Sequence, residues 1–283
     1  MSAGFGSPLD YDASSQPYEG LQLNCTTGER EIWAVVNAAQ DYTADKSIGT
    51  LDDLLKKTSS LSENARDKLF MTGSKKAVLS AGPSTQTISV RRACASVVLE
   101  SVTNAMSAAV YRQPGSFRIK DVYLMNVPGK VNFGGTLKAS ALADADWYAR
   151  MAAETDGTKS ALILDKQDAV TVEYGKKYET KHVFYSYPND CAPSSSDTWC
   201  RRATVLVIEA EFKLSGEWHA CYYPVTLHDE DGDGLESNRQ YRVRLTVNRP
   251  GSDNPNHPVE FDVVSGVIDV ADWESGAEYT ETI

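Results

Sequence analysis

The chain has 283 residues, with 28 Lys and Arg against 39 Asp and Glu, a formal net charge of -11 and 41% hydrophobic residues. That length and apolar share supply either two ordinary domains or one large one. The acidic balance makes nucleic acid a poor partner, because no basic stripe is present to displace phosphate counterions; no apolar run approaches the roughly 20 residues that a membrane-crossing helix needs.

In chain order, residues 1–20 are rich in Ser, Gly, Pro, Asp and Tyr without periodicity, which predicts a flexible lead that buries little. Strand-like runs come next, over residues 31–38, 85–91, 94–103 and 117–127. A helix interrupts them at residues 51–55, where Thr50 as N-cap and Asp53 at the third helical position make a capping box beneath an acidic first turn. A second short helix is expected over 62–70, with Gly73 marking its end. Residues 134–177 are weaker in pattern, with a helix over 144–154, a short strand over 161–164 and a domain boundary in this stretch. Strands then return over 182–187, 203–212, 218–227, 240–249 and 259–264, separated by Pro, Gly, Asn and Asp at sandwich-like spacings. Helices do not alternate with strands, so a doubly wound parallel sheet is not expected.

The final stretch, Val267, Ile268, Asp269, Val270, Ala271, Asp272 and Trp273 running on to Tyr279 and Ile283, alternates apolar and polar residues. It has two readings. It is either an edge strand of its own domain or a strand that pairs along the open edge of a neighbouring subunit.

Signals for chemistry are sparse. His182, His219, His228 and His257 stand alone, without the spacings of metalloprotease, nucleophile-elbow, dinucleotide or phosphate-loop motifs. Asp229, Asp231 and Asp233 followed by Gly234 imitate the first half of a calcium loop, but Gln240 occupies the twelfth position where Glu is required, so a solvated acidic turn is the favoured reading. No catalytic residue, metal or cofactor is expected. Of five cysteines, Cys191 and Cys200 flank a polar loop that a disulfide would close; the alternative is two unrelated thiols.

Several segments together resemble a known family. The run Gly28 to Ala38, then Phe70-Met71-Thr72-Gly73, then Val90 to Val97 with its Arg91-Arg92-Ala93-Cys94, is similar to the N-terminal domain of the fimbrillins, the pilus subunits of Bacteroidetes type V fimbriae. In the second half, Val183 to Asn189, Ala203 to Ala210, Tyr222-Tyr223-Pro224-Val225, Leu235 to Val243 and Arg249 to Pro255 resemble the family in order. The resemblance implies an all-β fold of two transthyretin-like β-sandwich domains, with one or two short helices in the first. The expected domains are residues 21–168 and 169–283 after the 1–20 lead.

It further implies no enzymatic activity, export as an outer-membrane lipoprotein precursor, trimming by an Arg-specific processing protease, and a place in a cell-surface fimbrium. The absence of an alternating strand in residues 1–20 fits a trimmed subunit. The segment 267–283, with Val267, Ile268, Val270, Trp273, Tyr279 and Ile283 as its apolar contacts, is then the donor strand that joins other fimbrial subunits head to tail. The alternative is an accessory or tip subunit that binds host protein or glycan through the 191–200 and 229–234 loops.

Overall fold

The computed structural model describes residues 24–148, 162–191, 202–228, 234–257 and 264–273. Its first part holds β1 (Gly28–Val36), the helix α1 (Leu51–Leu55), β2 (Thr58–Ser60), β3 (Met71–Leu79) and the two-residue β4 (Arg91–Arg92). Next come β5 (Ala95–Asn104), β6 (Phe117–Met125), β7 (Val127–Pro128), β8 (Lys130–Asn132) and β9 (Trp147–Tyr148). The remainder holds β10 (Leu164–Asp165), β11 (Val170–Thr171), β12 (Lys177–Tyr178), β13 (His182–Ser186), β14 (Val205–Leu214), β15 (Glu217–Thr226), β16 (Arg239–Val247) and β17 (Val264–Asp272).

These strands form an all-β sandwich. One five-stranded sheet runs β10-β6-β14-β15 with β11 also on β6, and the other runs β12-β5-β16-β17 with β13 also on β5. A single hydrophobic core extends through both, from Leu61 to Trp273. β6 starts by alternating, with Phe117 and Ile119 buried between the half-buried Arg118 and Lys120, as a sheet with one wet face should. Beyond that point alternation ceases: Asp121 to Met125 of β6 and Val205 to Ala210 of β14 are all buried, so this end of the sheet is covered on both faces. β14 and β15 are joined by Ser215 and Gly216, both at positive φ (53° and 92°), the conformation that suits the twist of a two-residue hairpin. A separate three-stranded sheet, β1-β3-β4, adjoins the sandwich.

The expected helix α1 is present, and its capping box closes as expected: the Asp53 amide donates to Thr50 Oγ1 at 3.2 Å and the Thr50 amide to Asp53 Oδ2 at 2.9 Å. The helix expected over 62–70 is replaced by a single 3-10 turn, Leu61–Glu63. Asn64 ends it. Its backbone is extended, and its side chain donates to the Ser60 carbonyl at 2.9 Å while accepting from the Phe70 amide at 2.6 Å, so local side-chain bonding displaces the helix.

Gly73, expected to mark a helix end, instead lies inside β3. This strand pairs with β1 through the nine residues from Gly28↔Leu79 to Val36↔Met71. The strand expected over 85–91 shrinks to β4, which pairs with β3 only through Met71↔Arg92 and Thr72↔Arg91. The 144–154 helix is a 3-10 turn at Asp144–Asp146 that runs into β9, with residues 149–154 outside the described residues. The strand expected over 161–164 is confined to Leu164–Asp165.

The boundary drawn at residues 168 and 169 does not fall on a seam between sheets. β10 and β11, on either side of it, both pair with β6, and β5 lies between β13 and β16. The described sheets therefore do not divide into two sandwiches there. Strand periodicity reveals where strands lie but not which distant strands they join.

Gly73 also shows how tightly the 85–91 segment crosses β3. A Cβ built there would stand 2.0 Å from the Ser89 carbonyl oxygen, a backbone atom that cannot move aside alone. Gly73→Ala is expected to lower stability by roughly 1–3 kcal/mol, the usual range for forced overpacking, read as a fall in the urea midpoint with an unchanged slope.

Candidate functional site at the C-terminal edge strand

β17 occupies the edge of its sheet and pairs antiparallel with β16 in register through nine residues, from Arg239↔Asp272 to Val247↔Val264. The pairing puts opposite charges face to face: Arg242 opposes Asp269 and Arg239 opposes Asp272. Arg239 Nη1 lies 2.6 Å from Asp272 Oδ1, and this carboxylate, followed by Glu236, raises the guanidinium pKa above its ordinary value. Arg244 reaches Glu100 at 2.9 Å and Asp269 at 3.7 Å. Such exposed pairs contribute little stability each but favour one register over a slipped one.

The apolar positions named from sequence divide along the strand. Val267 is 56% exposed, Ile268 and Val270 pack half-buried against the core, and Trp273, just past the strand end, is 8% exposed. The structure thus places Val267, Ile268 and Val270 on a strand paired with its own sheet, with Trp273 beside its end. Tyr279 and Ile283 lie outside the described residues.

On the three-stranded sheet, β1 is an edge as well, because its neighbour is β3 and the order is β1-β3-β4. Among the described residues no strand pairs with its other side. β1 and β17 have the same length of nine residues.

The loops proposed as contact surfaces have a shared base. Asn189 is fully buried; its side-chain amide donates to the Arg202 carbonyl at 2.7 Å and to Thr204 Oγ1 at 2.9 Å, and its Oδ1 accepts from the Cys191 amide at 2.9 Å. Its backbone exchanges two bonds with Leu235, each 2.9 Å. Gly234, at φ +69°, makes room, since a Cβ there would lie 2.1 Å from the Asn189 carbonyl oxygen. One buried Asn therefore gathers the ends of both loops. Cys200, Asp229, Asp231 and Asp233 lie outside the described residues, as does any bridge from Cys191 to Cys200.

One cluster was not legible in the sequence. His182, 1% exposed on β13, has Nδ1 at 2.7 Å from Asp165 Oδ2 on β10 and Nε2 at 2.6 Å from the Tyr178 hydroxyl, which donates to Gln167 Oε1 at 2.7 Å. Burial raises the Tyr178 pKa. The ring stacks between Tyr178 and Phe184. β10 and β13 belong to different sheets, so this polar chain pins one sheet to the other; only the fold brings Asp165 to His182. The packed ring and buried phenol fit a structural tie. Among the described residues no group of three His, Cys, Asp or Glu side chains is arranged to hold a metal ion.

No protein-family model matches the chain, and no curated protein matches it significantly. Solved structures do. A candidate cell adhesion protein of Bacteroides eggerthii superposes with a TM-score of 0.61 at 20% identity, over 86% of this chain and 77% of that one. One of Parabacteroides distasonis gives 0.61 at 19% identity, over 90% and 86%. A fimbrilin of Porphyromonas gingivalis gives 0.58 at 16% identity, over 89% and 82%. The chain has the fold of these proteins.

Burial sets the thiol chemistry around this frame. It pushes the Cys94 thiol up to about 12 and the Cys221 thiol up to about 11, whereas Cys25 is exposed. Iodoacetamide at about pH 8 is expected to alkylate Cys25 in the native protein and to spare Cys94 and Cys221 until denaturant is added, because only the thiolate reacts. Peptide mass spectrometry checks this; prompt native labelling of Cys94 would contradict the packing around β5.

Proposed function

We propose that the protein is a structural subunit of a bacterial cell-surface fimbria, joined to its neighbours by exchange of the C-terminal strand. The observation that carries this reading is a nine-residue edge strand, β17, on a fold shared with a fimbrilin. Among the described residues β17 is held through one side only, by β16, and by few buried side chains, so it is among the least costly long strands to remove. The side of β1 that no described strand pairs with, equal in length, is a receptor for such a strand from the next subunit: an incoming alternating segment satisfies its backbone groups and covers apolar side chains together. Donor and receptor are edges of different sheets, so the contact is head to tail and builds a fibre.

On this reading the precursor is exported as a lipoprotein to the outer membrane, an Arg-specific protease trims it, and the role is structural and adhesive without catalysis. Residues 267–283 are the donor, with Val267, Ile268, Val270, Trp273, Tyr279 and Ile283 as its apolar contacts, and the test removes the whole strand from residue 264. A chain lacking residues 264–283 is expected to remain monomeric where the full chain forms fibres in negative-stain micrographs, and a synthetic peptide of residues 264–283 is expected to shorten fibres of the full chain. Fibres of normal length in both experiments would rule out this donor.

The clustered loop ends around Asn189 favour a second reading, an accessory or tip subunit in which both loops meet a host protein or glycan. Immunogold with an antibody to this chain separates the two. Labelling along the shaft is the expected result; labelling confined to fibre ends would assign the tip role.

A further inference from the structure

Three separate pieces of chain converge on Trp273. Its ring stacks on Tyr185 of β13 with centroids 5.7 Å apart and planes 17° apart, and Arg92 of β4 sets its guanidinium carbon 4.3 Å from the Trp273 ring centroid. Backbone bonds meet at the same place. The Trp273 amide donates to the Asn238 carbonyl at 2.9 Å, the Arg92 amide donates to Asn238 Oδ1 at 3.3 Å, and the Asn238 amide donates to the Cys94 carbonyl at 3.0 Å. Asn238 makes these bonds from a left-handed conformation, φ 58°, which Asn tolerates better than most residues.

The partners belong to different sheets: β4 is part of β1-β3-β4, whereas β13 and β17 belong to the sheet built on β5 and β16. β4 itself is weakly held, with two residues paired to β3. Its chain runs into β5 two residues on, with the Ala93 amide donating to the Phe70 carbonyl at 2.9 Å, and Trp273 and Asn238 add the side-chain contacts that hold Arg92 against the sandwich.

We infer that the Arg92, Trp273 and Tyr185 stack is a latch that couples the C-terminal strand to the N-terminal sheet. While β17 is docked, the indole clamps β4 and steadies the sheet that carries the β1 edge. When β17 leaves, Arg92 loses its aromatic face and β4 loosens. Coupling of this kind is reciprocal, so whatever steadies the β1-β3-β4 sheet also holds β17 in place, and loosening that sheet releases it. The use of the latch in assembly rests on the strand-exchange reading; the coupling is a property of the single subunit.

Hydrogen exchange with mass spectrometry on the full monomeric chain tests it. Arg92→Ala removes the guanidinium but keeps the amide that donates to Asn238. It is expected to raise exchange across the fold in residues 264–273 by about three- to tenfold, the scale of a partly desolvated cation–π contact. Trp273→Ala is expected to raise exchange in residues 71–79 and 91–92 as well as in β17, and Trp273→Phe to restore part of the protection. Faster exchange near residue 92 alone, with β17 unchanged in Arg92→Ala, would overturn the latch. That comparison holds even if Trp273→Ala does not fold, because Arg92 is only half-buried. Fibres from the chain lacking 264–283 would remove the assembly reading while leaving a positive exchange result intact, so the two failures are distinguishable.

Discussion

β5 is the spine on which the rest is hung. It runs antiparallel to β13 and parallel to β16, so that Val97 meets Phe184 on one side and Tyr241 on the other. Those pairings join the first half of the chain to its second half, and their closure entropy must be met by a dry interior. The interior is dry: Val97, Leu99, Val102, Tyr241, Val243 and Leu245 are all buried. Because β16 is set by β5 and β17 by β16, the position of the C-terminal strand follows from a contact made across most of the sequence.

The strands of this sheet are held unequally. β5 and β16 have partners on both sides, while β17 has one partner among the described residues and relies on Ile268, Val270 and Trp273 for apolar contact. β14, by contrast, buries six consecutive residues from Val205 to Ala210. The ion pairs between β16 and β17 do not close that gap, since exposed pairs are worth at most about 1 kcal/mol each. Their effect lies in register, and in placing Asp269 and Asp272 along an edge that would otherwise attract other edges. On a chain of net charge -11, acidic edges repel lateral copies, so side-by-side aggregation is disfavoured.

Long strands with dense β-branched and aromatic content were legible: β5, β6, β13, β14, β15 and β16 all lie where the pattern put them, within a few residues at their ends. α1 was legible because Thr50 and Asp53 write its cap locally. β3 was hidden by its polar centre, Gly73-Ser74-Lys75-Lys76, which carries no apolar alternation; it is ordered by β1 and not by its own preference. Asn64 defeated the second helix through side-chain bonds that no periodicity scan weighs. The Asp165, His182 and Tyr178 tie and the gathering of loops at Asn189 exist only once the sheets are assembled, so spacing along the chain held no trace of them. Of the residues named for the donor strand, four fall on or beside β17; that they pair with β16 in the monomer was one of the two readings the sequence left open.

A strand that leaves its own sheet must gain more elsewhere than it loses. If β17 of one subunit merely replaced β17 of another, the same nine residue pairs and the same two facing charge pairs would be broken and remade, and nothing would drive a fibre. On the strand-exchange proposal the drive must come from a different receptor, and the side of β1 that no described strand pairs with is a candidate of matching length. Fibre stability is then a difference, the β1 ladder gained less the β16 ladder lost. Trp273 enters that difference twice, once through its own burial and once through Arg92, because undocking it also unsettles the sheet that bears the receiving edge. On the latch proposal a subunit with its tail docked keeps its receiving edge firm, whereas one whose tail has left presents a looser edge that costs an incoming strand more to order.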